Sequence, residues 1–363
     1  MESDPMEGKF DARLKELPSA AFHELVGRIS AVDEFKGWWR GRAAGSPSVL
    51  DRLRKETIGF SESVTVRFSA RPSFPLPQDL SWGRRRPATG EGGPSRRAGY
   101  GDLLRSVFEG YRDLEFGEDL LLRFHGRLFQ HSGADRTPRG QYKSLPDQAM
   151  VYRHGGLESP ALRATEPHLV PKEMEILTRW TVSRLRSSDF HPLLVIASFL
   201  LEFLAIRPFA DGNGRMSRVL ATLLLLQSGY EYLPYLSLDK VITKRGMDYA
   251  FALRRGQAKR NFPRPDITPW LRGFLDTMQA HAAELRAILD ARPREDLLSD
   301  NQRAVLSLFD RHPEVSIRRV CGEIGIPRDT AKQVLARLSA LGLVRRMGAG
   351  RATRYDRLPL SPG

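Results

Sequence analysis

The stretch that decides the fold lies at residues 206–218 and reads IRPFADGNGRMSR. Its Gly-Asn-Gly run permits left-handed backbone angles, which turn successive amide N–H groups into one concavity, and such a nest binds anions. Residues 216–226 are strongly apolar and rich in helix formers, so the nest should lie at a helix N-terminus, whose dipole also favours an anion. The sequence therefore predicts an anion site.

The charged residues around the nest extend this prediction to a nucleotide with its metal. Asp211 offers the kind of oxygen ligand that Mg²⁺ uses alongside phosphate oxygens. Arg215 and Arg218 are three apart, hence on one helix face, and their planar guanidinium groups suit phosphate. An Asp-Gly-Asn-Gly run alone is most often only a tight turn. Here it joins the apolar segment 192–206 to a second apolar segment, and this context favours the functional interpretation.

The stretch resembles the signature of the Fic-domain family, which is His-x-Phe-x-Asp/Glu-Gly-Asn-Gly-Arg-x-x-Arg. Every fixed position matches except the first, where this chain has Arg207. Residues 50–65, 139–146 and 191–257 also resemble Fic proteins that have a C-terminal winged helix. The resemblance implies a mainly α fold, in which a Fic/Fido helical domain with a small β-hairpin flap precedes a winged helix-turn-helix.

The resemblance also implies an activity, the transfer of AMP from ATP to a hydroxyl of a target protein. In that family the motif histidine is the general base. Asp211 would hold Mg²⁺, Phe209 would anchor the loop in the core, and ATP or another nucleotide would be the cofactor. The remaining motif residues would bind phosphate, with Gly212, Asn213 and Gly214 as the anion hole and Arg215 and Arg218 as side-chain contacts.

Arg207 interrupts these roles at the step where a proton must leave. A guanidinium group, with a pKa of about 12.5–13.8, has no lone pair to offer as a base. General-base help contributes about 10²–10⁴ in rate, so we expect weak or absent AMP transfer. The cation could instead strengthen phosphate binding or stabilise a transition-state charge. The simplest alternative is a solvated or paired cation at a helix end.

No other histidine falls at a position of the signature. His154 is the first candidate for a substitute base, because it follows a segment that resembles the family's flap. The flap, at residues 139–153, is expected to dock a target protein by main-chain pairing. The other histidines of the expected catalytic domain are His125, His131, His168 and His191.

A second departure concerns the inhibitory helix of many Fic proteins, Ser/Thr-x-x-x-Glu-Gly/Asn. Its glutamate pairs with the second motif arginine and blocks the nucleotide's terminal phosphate. Here Thr65 begins the aligned segment, and Ser69 stands at the glutamate position. We therefore expect the inhibitory contact to be absent and Arg218 to be free for phosphate.

The C-terminal segment resembles a winged helix-turn-helix. Residues 299–311 and 316–324 predict two amphipathic helices, and a third should begin near Asp329 or Thr330, with Thr330 and Gln333 as a capping box. Basic strand-like pieces then flank residues 348–350. From residue 298 onward 12 Lys and Arg stand against 6 Asp and Glu, and this excess favours a polyanionic partner.

Duplex DNA is the polyanion that this segment would bind. The third helix would present Arg328, Lys332 and Arg337 to a groove, and the wing would add Arg351 and Arg354. The alternative is a protein-interaction or dimerisation surface. Under that alternative, the chain could form a homodimer.

Composition predicts a cytoplasmic protein of more than one domain, with no membrane partner. The chain has 363 residues, a net charge of +14 and one cysteine, Cys321. A single cysteine forms no intrachain disulfide, which is consistent with a reducing compartment. The N-terminus lacks the pattern of a signal peptide, and the apolar segment 192–206 is too short to cross a bilayer and includes Glu202.

The expected boundaries and functions follow from these patterns. A helical region at 1–70 and a Pro/Gly/Arg-rich loop at 71–98 precede a Fic core at 99–283, a linker helix at 284–297 and the winged helix at 298–358. Three functions stay open. The chain could bind Mg-nucleotide with impaired transfer, be an active transferase with changed chemistry, or be a DNA-binding regulator that uses the Fic domain as scaffold.

Overall fold

The structure is a computed structural model. It describes residues 5–42, 47–70, 94–131, 139–146, 152–154, 157–159, 164–258, 260, 265–290, 298–348 and 353–358. The helices of the first part of the chain are α1 Pro5–Lys15, α2 Ser19–Arg42, α3 Pro47–Ala70, α4 Pro94–Gly110, α5 Glu118–Leu128, α6 Val170–Ser187, α7 Pro192–Ile206, α8 Asn213–Gln227, α9 Leu238–Gln257 and α10 Thr268–Asp290.

The chain divides into two compact units. The first, which we call the motif-bearing unit, contains residues 1–43 and 52–285, and the second, the C-terminal unit, contains residues 44–51 and 286–363. Within the described ranges, no helix is long and apolar enough to cross a membrane.

Helix α7 is the centre of the motif-bearing unit, and it packs against α6 and α8. Its start is fixed by Pro192 at the first helical position and by His191, whose Nδ1 accepts from the N–H of Leu193 at 3.3 Å. Every residue from Leu193 to Ile206 is buried, including the carboxylate of Glu202. The prediction of a buried core helix at 192–206 is confirmed with the same bounds.

The hairpin of the predicted flap lies later in the chain than the sequence indicated. Strand β1, Tyr152–His154, pairs antiparallel with β2, Leu157–Ser159. Residues 139–146 form turns and bends rather than a strand, so the expected hairpin at 139–153 is wrong in its bounds. Lys143 explains the difference, because its N–H donates to the carbonyl of Pro208 at 2.9 Å and is thereby used outside any strand ladder.

From residue 298 to residue 358, the described part of the C-terminal unit has three α-helices and a three-stranded antiparallel sheet in the order β3-β5-β4. Its apolar core is formed by residues such as Val305, Val320 and Leu335. The sequence had not predicted β3. The elements are α11 Asp300–Ser307, β3 Glu314–Val315, α12 Ile317–Ile324, α13 Arg328–Ala340, β4 Val344–Met347 and β5 Arg354–Arg357.

The capping of these helices differs from the prediction. Helix α13 begins at Arg328, with Pro327 as its N-cap and no side-chain cap, so the expected capping box of Thr330 and Gln333 is wrong. Proline fixes its own φ near the helical value and the chain enters the helix directly behind it. A capping box does occur at α11, where Ser299 and Gln302 bond reciprocally.

Two expected boundaries also move. Helix α4 begins at Pro94, inside the segment 71–98 that composition predicted to be a loop, while residues 71–93 lie outside the described residues. Helix α10 continues without a break to Asp290, so residues 284–290 belong to it rather than to a separate linker helix. Residues 291–297 lie outside the described part.

Candidate functional site

Two residues in left-handed conformation give the loop between α7 and α8 its shape. We call residues 207–213 the motif loop. Arg207 ends α7 with φ 50 and ψ 64, and its N–H donates to the carbonyl of Phe203 at 3.0 Å. Gly212 has φ 81, and a Cβ atom there would lie 3.0 Å from Leu128 Cδ2. Glycine is therefore required at residue 212 by conformation and by packing, whereas Arg207 adopts its φ at a conformational cost.

Asn213 holds the motif loop closed from within. Its Nδ2 donates to the carbonyl of Phe209 at 2.7 Å, and its Oδ1 accepts from the N–H of Phe209 at 3.0 Å. Phe209 is fully buried, as the sequence predicted for an anchor. Because the Asn213 side chain is used in this way, its contribution to an anion site would come from its backbone N–H. The first N–H groups of a helix have no intrahelical partner, so α8 offers a nest at Asn213, Gly214 and Arg215.

His125 joins the motif loop to the segment that precedes the hairpin. Its ring stacks on Phe209 with centroids 3.9 Å apart, Nε2 donates to the carbonyl of Asp211 at 3.2 Å, and Nδ1 accepts from the N–H of Gly140 at 3.1 Å. Burial lowers the pKa of His125 to about 4, so the ring is neutral with both nitrogens engaged. It is therefore a brace rather than a substitute base.

Lys143 fixes the other side of the motif loop. Its N–H donates to the carbonyl of Pro208, and its buried Nζ donates to the carbonyl of Ile206 at 3.2 Å. These two carbonyls flank Arg207. Neither His125 nor Lys143 was expected from the sequence to hold the motif loop. For His125 a signal existed, since it lies one residue from Phe124 on the buried face of the amphipathic helix α5.

Asp211 precedes the nest in the motif loop, and Arg215 is the last residue of the nest. Asp211 Oδ1 accepts from the N–H of Gly212 at 2.6 Å, and Oδ2 lies 3.6 Å from Arg215 Nη2. The Asp211 side chain is 54% exposed. Among the residues described, no group of three or more His, Cys, Asp or Glu could enclose a metal ion. A lone carboxylate fits Mg²⁺, which usually keeps water and phosphate oxygens as its other ligands.

Arg218 is not free, contrary to the expectation from the inhibitory-helix comparison. Its Nε forms an ion pair with Asp239 Oδ1, and the hydroxyl of Tyr100 donates to Asp239 Oδ2 at 2.9 Å. The negative charge of Asp239 raises the pKa of Arg218, despite the opposing effect of burial. Asp239 could not be recognised from the sequence, because it lies 21 residues beyond Arg218, in the first turn of another helix.

Several predicted residues are not placed by the structure. Residues 65 and 69 lie in α3, but the side chains of Thr65 and Ser69 are outside the described residues. The same holds for the side chain of His154 in β1. Arg351 is outside the described residues as a whole, whereas Arg354 begins β5 and is exposed.

Comparison with known proteins finds similarity to one family over part of the chain. Residues 115–225 match the model of the Fic/DOC family. The chain is 32% identical over 159 residues to the protein adenylyltransferase Fic of Aedes aegypti, a match that spans 43% of this chain and 26% of that protein. A Fido domain-containing protein of Dictyostelium discoideum is 37% identical over 89 residues, which are 24% of this chain and 62% of the relative. The chain thus spans less than two thirds of either relative.

Solved structures show the same fold. A Fic family protein from Desulfovibrio desulfuricans superposes with a TM-score of 0.62 at 22% identity, over 93% of this chain and 97% of the other. A Fic domain containing signaling protein from Bacteroides thetaiotaomicron gives 0.54 at 15% identity, over 72% and 97%. These likenesses show that the fold is like that of Fic proteins, and the part of the chain that matches the model of the Fic/DOC family, residues 115–225, contains the motif loop and the helices on either side of it.

Proposed function

We propose that the Fic domain binds ATP or a related nucleotide with Mg²⁺ at the motif loop, and that Arg207 leaves the transfer of AMP to protein hydroxyls impaired. The observation behind the proposal is the backbone of the loop. Gly212 turns the chain so that α8 points its first N–H groups and its dipole at one place, beside Arg215 and Arg218. Such a helix N-terminus suits phosphate, and the relatives named adenylyltransferases support the nucleotide.

Arg207 stands where the family's histidine would accept the proton of the attacking hydroxyl. A guanidinium group has donors but no acceptor, so it cannot take that proton. Its charge can hold a phosphate or a developing negative charge. Asp211 would be the protein's ligand to Mg²⁺, which when bound would neutralise phosphate charge.

Binding is tested first, because transfer presupposes it. We expect isothermal titration to show ATP binding that depends on Mg²⁺ and weakens in Arg218→Ala. Glu175→Gln, which removes an exposed surface charge of α6, is the matched control and should bind as the unmodified chain does. Absence of both heat and thermal shift with every nucleotide would contradict the proposal.

The chemistry is tested at Arg207. We expect Arg207→His to raise transfer of labelled AMP to the protein itself by about 10²-fold or more, since a positioned base contributes about 10²–10⁴. Arg207→Gln removes the charge without supplying a base and should stay inactive. Robust transfer by the unmodified chain, abolished by Arg207→His, would instead favour an active transferase with changed chemistry.

A second candidate function is DNA binding by the C-terminal unit. Three helices followed by a β-hairpin, with β3 completing the sheet, is the arrangement of a winged helix. Arg328, Lys332 and Arg337 are exposed on α13, which would be the recognition helix. The Fic domain would then act as scaffold or as a nucleotide-dependent regulator. We infer DNA rather than a protein partner from this run of exposed cations.

Salt dependence tests the DNA proposal. Three phosphate contacts predict that raising salt from 50 to 200 mM weakens binding to duplex DNA by about 40-fold. The triple variant Arg328→Ala, Lys332→Ala, Arg337→Ala should lose most of that dependence. Weak binding that the triple variant leaves unchanged would favour a protein-interaction or homodimer surface.

A further inference from the structure

Three helices meet at Arg218 to form a buried polar chain. Tyr100 comes from α4, Asp239 from the first turn of α9, and Arg218 from the first turns of α8. Tyr100 is fully buried, and its hydroxyl fixes one oxygen of Asp239 at 2.9 Å while the other oxygen pairs with Arg218 Nε. Of these three residues, only Arg218 belongs to the motif.

The start of α9 is itself held in place, so that Asp239 has little freedom. Ser237 caps the helix by accepting from the N–H of Lys240 at 3.2 Å, and its hydroxyl lies 2.8 Å from that of Ser61 in α3. A carboxylate in the first turn of a helix is also stabilised by the helix dipole. Asp239 is thus a charge of fixed position.

The two side chains of the ion pair differ in their exposure to solvent. Asp239 is 4% exposed and lies inside, whereas the Arg218 side chain is 19% exposed. A Cβ atom placed on Gly214 would lie 3.5 Å from Arg218 Nη1, so this end of the guanidinium group reaches the nest while Nε faces the acid. An acid that competed with phosphate would have to contact the terminal nitrogens of Arg218, whereas the contact of Asp239 is with Nε.

We propose that Asp239, itself held by Tyr100, is a positioning residue that aims Arg218 at the phosphate nest. The inference rests on the proposed nucleotide binding and adds a residue outside the motif to that site. A guanidinium group whose Nε end is held by an ion pair has fewer orientations open to its two terminal nitrogens, and less rotational freedom is then lost when they bind an anion.

A double-mutant cycle separates this role from a structural one. The affinity for Mg-ATP is measured by isothermal titration for the full chain, Asp239→Asn, Arg218→Ala and the double variant. We expect Asp239→Asn to weaken binding about tenfold, at the lower end of what groups that orient a ligand-binding residue contribute. In the Arg218→Ala background the same change should have almost no effect, because the residue that Asp239 orients is absent.

Two further variants complete the design. Tyr100→Phe removes one hydroxyl and should weaken binding about threefold; if Asp239→Asn does not fold, the cycle of Tyr100→Phe with Arg218→Ala decides. Glu284→Gln is the matched control, since Glu284 binds Lys240 and Lys244 at 2.8 and 2.7 Å beside the same turn of α9 and should leave affinity unchanged.

Each other outcome overturns the inference in a recognisable way. Unchanged affinity in Asp239→Asn removes the positioning role, and increased affinity makes Asp239 a competitor of phosphate. An equal loss in both backgrounds would mean a general structural effect. If the unmodified chain and all variants fail to bind any nucleotide, the proposed function fails with it, and this result is distinct from the three in which the unmodified chain binds.

Discussion

The motif-bearing unit and the C-terminal unit use arginine in opposite ways. In the motif-bearing unit, Arg13 and Arg260 both pair with the buried carboxylate of Glu202, and Arg260 does so through Nε at 2.8 Å. In the C-terminal unit, the cations of α13 are exposed. Breaking a buried pair leaves an uncompensated charge, whereas an exposed pair contributes little. The cations behind the net charge of +14 are therefore of two kinds. Those paired with buried acids hold helices together, and those exposed to solvent create an electric field outside the protein.

The largest effect should come from the buried acid. Glu202→Gln leaves the buried Arg13, and Arg260 with its remaining pair to Glu173, opposite a neutral amide, so we expect the free energy of unfolding to fall by about 3–5 kcal/mol. Urea unfolding followed by tryptophan fluorescence measures it, because all five tryptophans lie in the sequence of the motif-bearing unit.

An exposed acid of the same unit is the control. Glu175 pairs with Arg179 at 3.3 Å on the surface of α6, and Glu175→Gln should change stability by less than about 1 kcal/mol. If both substitutions had the same small effect, burial would not be what distinguishes the two populations of arginine.

The buried histidines should make the motif-bearing unit sensitive to mild acid. Burial lowers the pKa of His125 and of His281 to about 4 in the folded chain, against about 6.5 when unfolded. Between these values the unfolded state binds more protons, so stability is fully present above about pH 6.5 and is lost as pH falls toward 4. From pH 7 to pH 5 each histidine should account for about 2 kcal/mol.

Removing one of these titrations tests the assignment. In His125→Gln the loss of stability between pH 7 and pH 5 should be smaller than in the unmodified chain by about 2 kcal/mol, whatever the absolute stability of the variant. An unchanged loss would mean that His125 is accessible to protons in the folded state.

The sequence predicted the local features of this site and missed the distant ones. Helix α7 was predictable because an uninterrupted apolar run behind a proline leaves few alternatives, and the turn at Gly212 because glycine permits its φ. The hydrogen bond of His125 to Asp211 joins residues 86 apart, and that of Tyr100 to Asp239 joins residues 139 apart. Such contacts depend on how helices pack, and no periodicity or motif encodes them.

Charge content shows the same limit. A basic composition indicates an excess of cations, but it does not distinguish an arginine that pairs with a buried acid from one that faces solvent. The flap was misplaced for a related reason, since the hydrogen bonds of Lys143 to the motif loop replace the strand pairing that its sequence resembled.

The smallest effect concerns an arginine held by backbone geometry. Arg207 has φ 50, a conformation that glycine adopts readily and other residues adopt at a cost of about 1 kcal/mol. We therefore expect Arg207→Gly to be about 1 kcal/mol more stable than Arg207→Ala, both having lost the same side-chain contacts. Urea unfolding of the pair measures this difference. Two residues earlier, inside α7, the order should reverse, and Ala205→Gly should destabilise. If the two variants were equally stable, the backbone at residue 207 would leave the left-handed conformation once the arginine is removed. The contacts of the Arg207 side chain, rather than the packing of the loop, would then impose that conformation.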